Sequence, residues 1–377
     1  MLDRLYRVFT SLKLTVALLA LSLVLVFWGT LAQVHLGLYK VQNDFFRSFF
    51  IWWEPAWSSW RIPIFPAGYL IGWLLLINLF MAHFRYYQPG KKKWGIVMIH
   101  LGIVLLLVGQ LLTDILSTES LMHLRHGDTK NYSEVSRHFE LAVVDTTEPA
   151  FDRVVAISSR RLLKRDEIRH PELPFTIQVR RFYANSSLVD KPAPGYEEIS
   201  AAPGIWWRSL PHETETDKRD MPSGVVELRT PQGSLGEFLV SAYLARPHEF
   251  QHNGRNYRMI LRNVRLYKPF SIHLVEFRHD KYPGTEIPKN FSSRVRLQRP
   301  DTGEDREVLI YMNNPLRYDG ETYYQASFDT DNQGTILQVV RNPSWLTPYF
   351  SCVLVGAGLL VQFLGHLTRF ARRRNDS

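Results

Sequence analysis

Leu14 to Val34 is a run of 21 residues without one ionisable side chain. At ~1.5 Å per helical residue it covers the ~30 Å hydrocarbon core of a bilayer. Three more runs share its character: about Ala67 to Met81, Trp94 to Thr113, and about Tyr349 to Leu367. In lipid each backbone polar group must be satisfied within its own segment, so each run is expected to cross as an α-helix. The second run is short, and the preceding Ile62-Pro63-Ile64-Phe65-Pro66 is read as its extension into the interface. Arg4, Arg7 and Lys13 before the first run, and Thr30-Leu31-Ala32 near its end, faintly resemble a cleaved signal. The run is longer than the roughly 7–15 apolar residues of a signal core, so a retained span is the expectation.

Orientation follows from the short flanks, because lysine and arginine stay on the cytoplasmic side. Residues 1–13 carry +2, Phe84 to Lys93 carry +4 and Leu367 to Ser377 carry +3, together the whole formal charge of +9. Both termini are therefore predicted to be cytoplasmic, with residues 114 to about 345 outside. The same charge count removes a nucleic-acid partner: the basic excess orients the membrane part, and the outer domain has no net positive field.

The expected organisation is a membrane region, 1–113, with helices at about 14–34, 67–83 and 94–113. An extracytoplasmic β-rich domain, 114–345, is inserted between the third and fourth helices. Residues 346–377 hold the fourth helix, about 349–367, and a basic tail. In the outer domain Phe175 to Arg180 and Arg294 to Leu297 alternate as half-buried strands do. Asn253-Gly254, Asp301-Thr302-Gly303, Asp319-Gly320 and Pro231-Gln232-Gly233 supply turns between such runs. A β-sandwich or barrel-like sheet is the expected outcome, with Ser186 to Ser223 read as a long insertion or mobile loop. The loop from His35 to Arg61, with Phe45, Phe46, Phe49, Phe50, Trp52, Trp53, Trp57 and Trp60, suits the outer interface; a ligand-stacking shelf is the alternative. The one cysteine, Cys352, lies in the fourth run, so the outer domain has no thiol to exchange disulfides or to hold a thiolate metal cluster.

Enzyme signatures are absent: no His-Glu-x-x-His, no phosphate-binding glycine loop and no Gly-x-Ser-x-Gly. Gly356-Ala357-Gly358 is read as small residues for helix packing. His100 is the one ionisable side chain well inside a span, and such residues are functional candidates by default. Its imidazole either bonds a neighbouring helix or serves as an axial ligand to haem iron. His83 and His366, at the cytoplasmic ends of two other spans, are read as interfacial.

These residues resemble a known family. Gly29-Thr30-Leu31-Ala32-Gln33, Ile64-Phe65-Pro66-Ala67-Gly68-Tyr69, Leu76-Ile77-Asn78-Leu79 and His100-Leu101-Gly102 look like the membrane segments of ResB, also called CcsB. Tyr282-Pro283-Gly284-Thr285, Asn290 to Val295, Asn313 to Gly320 and Tyr323-Tyr324-Gln325 are similar to its outer segments, in the same order. The stretch from about Phe139 to Met221 resembles the family poorly.

The resemblance implies an accessory, non-catalytic subunit of a cytochrome c haem lyase, in system II cytochrome c maturation at the inner membrane. It implies a partner like ResC (CcsA), apocytochrome c as client, and a thiol-reducing protein in the same pathway. Haem would be held transiently between His100 and a histidine of the partner. The partner's tryptophan-rich haem motif is not matched by Trp206-Trp207. Two other readings stay open: a membrane scaffold without haem contact, and a cell-envelope enzyme with its site between Phe139 and Met221.

Overall fold

A computed structural model of the protein describes residues 2–55, 57, 60–86, 94–215, 218–285 and 288–375. Lys91, Lys92 and Lys93, which enter the orientation count, lie outside the described residues. The helices are α1 (Leu2–Phe9), α2 (Leu12–Leu36), α3 (Leu38–Val41), α4 (Gly68–Tyr86), α5 (Trp94–Leu116), α6 (Ser159–Leu163) and α7 (Thr347–Asn375); a single π-helical turn, Gln42–Phe46, follows α3. The chain divides into two compact units. One comprises Met1–Thr118, Thr214–Thr216 and Asn342–Ser377; the other comprises Glu119–Glu213 and Asp217–Arg341.

Among the described residues of the first unit, α2, α4, α5 and α7 are long and apolar enough to cross a membrane. Ser11 caps α2 by accepting the Lys13 N–H at 3.2 Å, and Gly37 ends it in a positive-φ conformation with its N–H on the Gln33 carbonyl at 3.1 Å. Residues 62–66 do not extend the second span. They form β2 (Ile62–Pro66), paired antiparallel with β1 (Phe50–Trp53). Pro63 and Pro66 lack the N–H a helix needs and push their predecessors to extended backbone, so the helix begins only at Gly68.

The tightest helix contact is a glycine seam. Gly95, Gly102 and Gly109 recur every seven residues on α5, all buried. A Cβ at Gly95 would lie 2.7 Å from the Gly358 carbonyl of α7, at Gly102 2.5 Å from Val355 Cγ2, and at Gly109 2.5 Å from Thr347 Cγ2. Backbones approach this closely only where side chains are missing, the device by which helices associate without a hydrophobic driving force. Gly358 meets Gly95 from the other side, as the small-residue reading anticipates. Beyond the seam Thr113 Oγ1 and Ser344 Oγ bond at 2.8 Å, and Asn342 Nδ2 donates to Thr113 at 3.3 Å.

The second unit is built of strands: β3 (Thr118–Arg125, its first residue in the other unit), β4 (Thr129–Asp145), β5 (Arg153–Ser158), β6 (Glu167–Ile168), β7 (Thr176–Tyr183), β8 (Ser186–Val189), β9 (Glu197–Glu198), β10 (Trp206–Ser209), β11 (Ser223–Thr230), β12 (Gly233–Ser241), β13 (His248–His252), β14 (Arg255–Lys281), β15 (Pro288–Arg299), β16 (Glu304–Tyr311), β17 (Leu316–Tyr318), β18 (Glu321–Phe328) and β19 (Gly334–Arg341). A ten-stranded sheet runs β16-β15-β14-β4-β3-β19-β18-β17, with β13 on β14 and β5 on β4; a four-stranded sheet runs β12-β11-β7-β6. One core lies between these two sheets, joining Leu141, Val143, Val155 and Met259 to Ile177, Val179, Val226 and Leu228. The other draws Met122, Leu124, Ile272, Leu274, Val295, Ile310, Tyr323 and Leu337 from the large sheet alone, which requires that sheet to curl over its own face. Sandwich and barrel character are thus both present. Asn253, Asp319, Gly254, Gly303 and Gly320 all take positive φ at the expected turns. Ser186 to Ser223 is not a bare loop: β8, β10 and β9 form a small sheet there, because Trp207 and Ile199 bury against Val225 and Leu239.

β14, 27 residues long, serves both cores. Between them its register against β4 jumps from Tyr267 to Ile272, around Pro269, which has no N–H to give to a ladder. Lys268 points inward there, its side chain only 4% exposed, and its Nζ lies 2.7 Å from the Glu321 carboxylate. Glu321 also accepts the hydroxyl of the fully buried Tyr323 at 2.7 Å. Burial, then this bond, pushes the Tyr323 hydroxyl far above its ordinary pKa, so it stays a donor.

Two outcomes follow from this packing. Gly102→Ala is expected to cost about 1–3 kcal/mol by overpacking the seam, whereas Gly356→Ala, with open space at its Cβ, should be neutral or slightly stabilising; thermal unfolding of the two proteins in one detergent checks the contrast. Lys268→Met should cost about 3–5 kcal/mol by stranding the Glu321 charge, and adding Glu321→Gln, which removes the charge and keeps an acceptor for the Tyr323 hydroxyl, should recover part of the loss; chemical unfolding of the single and double variants measures it.

Candidate functional site in the membrane unit

Two glycines of the family-like motifs, Gly29 and Gly68, pack on the aromatic turn. Phe46, in the π-helical turn, fits only because Gly29 and Gly68 lack side chains: a Cβ would meet its ring at 2.9 Å and its carbonyl oxygen at 2.4 Å respectively. Phe45 is buried edge-on against Trp28, which packs likewise on Phe65. Asn78, 1% exposed on α4, is fully engaged: its Oδ1 accepts from Thr15 at 2.6 Å and its Nδ2 donates to the Phe9 carbonyl at 2.7 Å. A buried amide in a span demands such partners, and this one ties α4 to the α1–α2 junction.

His100 is half-buried on α5, two residues from Gly102 and so ~200° round the helix from the seam. Its Nδ1 lies 2.8 Å from the carbonyl of Ile96, one turn back on its own helix. A carbonyl can only accept, so Nδ1 carries the proton and the lone pair is left on Nε2, the tautomer that can ligate a metal. The bond goes to its own helix rather than to a neighbour. The neighbour instead supplies a second imidazole: the His83 ring of α4 lies 6.0 Å from that of His100, centroid to centroid, tilted by 43°. With metal–nitrogen bonds of ~2 Å, two imidazoles on opposite sides of one metal have centroids roughly 6 Å apart. The spacing alone matches two imidazoles meeting one metal ion. Sequence reasoning left His83 at the interface and missed this pair. The signal available was the antiparallel order of α4 and α5, which brings the last turns of one beside the first turns of the other.

The same faces continue to the other end of the helices. Tyr69, Gly72, Trp73 and Leu76 precede His83 on α4 at helical spacing, and Leu107, Leu111 and Asp114 follow His100 on α5. With Leu38, Gln42 and Phe46 they line a cavity of about 510 Å³. At its edge Asp114 accepts the Tyr69 hydroxyl and pairs with Arg47 Nε at 2.8 Å. Asp114 is 14 residues from His100, ~21 Å along the helix.

Other candidates stay apart from this arrangement. His366 is exposed on α7, with Gln362 as its ring partner at 3.0 Å. Trp207 is a core residue of the second unit. Trp52, Trp53, Trp57 and Trp60 are all exposed. In the stretch of poor resemblance, His212 Nδ1 pairs with Asp220 at 2.6 Å, but the imidazole is 74% exposed. Outer motif residues also pack: Ser293, buried, donates to Gln325 Oε1 at 2.6 Å, and its oxygen lies 2.9 Å from Thr335 Oγ1, knitting β15, β18 and β19 together.

The ResB-like family model matches residues 247–337, a stretch that contains the outer motif groups. Protein NrfI of Wolinella succinogenes is 26% identical over 311 residues, 80% of this chain and 30% of that relative. The chain thus spans about 30% of the length of the curated relative it matches. Over residues 247–337 the chain is thus similar to the ResB-like family, and over a longer stretch it is similar to NrfI.

Proposed function

We propose that this chain is the ResB-like subunit of a complex that matures cytochrome c, acting in system II with a ResC (CcsA)-like membrane partner to move haem outward and attach it to apocytochrome c. In this reading it sits in the inner membrane with both termini cytoplasmic. Its β-rich domain, inserted between the third and fourth spans, faces the periplasm or outer surface. The observation that carries the reading is His100: an imidazole inside a span, its proton fixed on Nδ1 by Ile96, with Nε2 free to bind iron.

Haem is cargo here, and this chain's part is to hold and orient it. His100 Nε2 supplies one axial nitrogen. His83, whose ring lies beside that of His100, or a histidine of the partner would supply the second nitrogen. The face from His100 to the cavity beside Asp114 is apolar, as a porphyrin requires, and Arg47 stands at its far edge, where a carboxylate could be met. Thioether formation adds a cysteine S–H across a vinyl group, so the client's thiols must be reduced. The second unit contains no cysteine, so a separate thiol-reducing protein belongs to the pathway.

One observation favours the scaffold reading: Gly29, Gly68, Asn78, Ser293 and Gln325, all in family-like motifs, serve packing. Haem content separates the two. In the complex purified with its partner, His100→Ala should lower haem per chain about tenfold or more while the subunits stay together, and added imidazole should restore the Soret band to His100→Gly. His83→Ala should shift the spectrum without abolishing haem. Unchanged haem in His100→Ala would refute the ligand role and leave the scaffold.

A further inference from the structure

The second unit contains a cavity of about 520 Å³ that is independent of the haem reading. Its floor is a row of side chains across three paired strands: Tyr257 of β14 stands opposite Asp145 of β4, which stands opposite Arg153 of β5. Val143 and Val155 form the next row on the same face, since alternate residues share a face. Arg255 and Asn253 enter from the β13–β14 turn, and Pro171, Leu173 and Pro174 line the cavity from the segment before β7.

Tyr257 is 2% exposed, and its hydroxyl makes no hydrogen bond of full geometry among the described residues, with the Arg255 side chain close enough to act on it. A buried hydroxyl left unpaired is costly and calls for an explanation. Burial, reinforced by the Asp145 charge, raises its pKa, so it is a neutral donor. Asp145 does not relieve it. That carboxylate is occupied by the Thr147 hydroxyl at 2.5 Å, the Thr147 N–H at 3.0 Å and Arg255 Nη1 at 3.2 Å, contacts that hold its pKa below the usual carboxylate range. Arg153 lies over the Phe151 ring at 5.5 Å, and its guanidinium has no carboxylate partner among the described residues.

We propose that this cavity binds a monocarboxylate with a short aliphatic body. Tyr257, Arg153 and Arg255 are the donor-bearing residues of the lining, and Asp145 cancels one of the two positive charges. Glu172 balances the other charge formally, but from an exposed position at the rim where water screens it. The valines, Leu173 and the two prolines take the aliphatic part. A carboxylate meets a planar guanidinium through two parallel bonds, a geometry that also admits the phenol.

The probes are butyrate, acetate and inorganic phosphate, each balanced against chloride at equal ionic strength, with the full-length protein in detergent. Butyrate should raise the unfolding temperature saturably, acetate less, and phosphate no more than chloride. Tyr257→Phe should raise the unfolding temperature without any probe, by removing the unpaired hydroxyl, and should weaken butyrate about tenfold. Arg153→Gln, a change at an exposed position that leaves the core intact, should abolish the butyrate response even if Tyr257→Phe fails to fold. No saturable response to butyrate, an equal response to phosphate, or an unchanged response in Arg153→Gln would each overturn the proposal.

Discussion

Close approach of two backbones along Gly95, Gly102 and Gly109 is the constraint from which the rest of the membrane unit follows. Glycines seven residues apart drift by only ~20° per repeat on a straight helix, so they hold one face of α5 to α7 over its whole length. That contact decides what the opposite face can do. His100 and the cavity-lining Leu107, Leu111 and Asp114 are turned toward α4 because the seam is turned away from it. The ligand face and the packing face are two readings of a single helical period.

The polar groups of this unit divide by the same logic. Asn78 and Thr15 spend their hydrogen-bonding capacity on each other and on backbone. Tyr69, Asp114 and Arg47 form a closed group at one end of the α4–α5 face. The bond that positions His100 engages its Nδ1 and leaves Nε2 out of that contact, a contrast with the amide of Asn78, whose two ends are both engaged.

The spans were legible because length and lack of charge are one-dimensional properties. So were the turns at Asn253-Gly254 and Asp319-Gly320, where φ is set by the residue itself. β2 was not, since an apolar run around two prolines reads alike as helix end or strand until β1 is found beside it. The small sheet of β8, β9 and β10 was hidden for a related reason: its strands are two to four residues long, and only Trp207 and Ile199 bury enough surface to hold it. His83 escaped because partnership between helices depends on rotation and register, which apolar composition does not encode. Tyr257 and Arg153 are 104 residues apart, and only strand pairing brings them into one row.

β14 is one strand that belongs to two cores, bent between them at Lys268 and Pro269. Loosening either core withdraws the edge on which the other is laid, so the two are expected to open together as a single cooperative unit, with amide protons of both protected to a similar degree. A load on one core would therefore be felt at the other through a continuous strand, without a hinge between them.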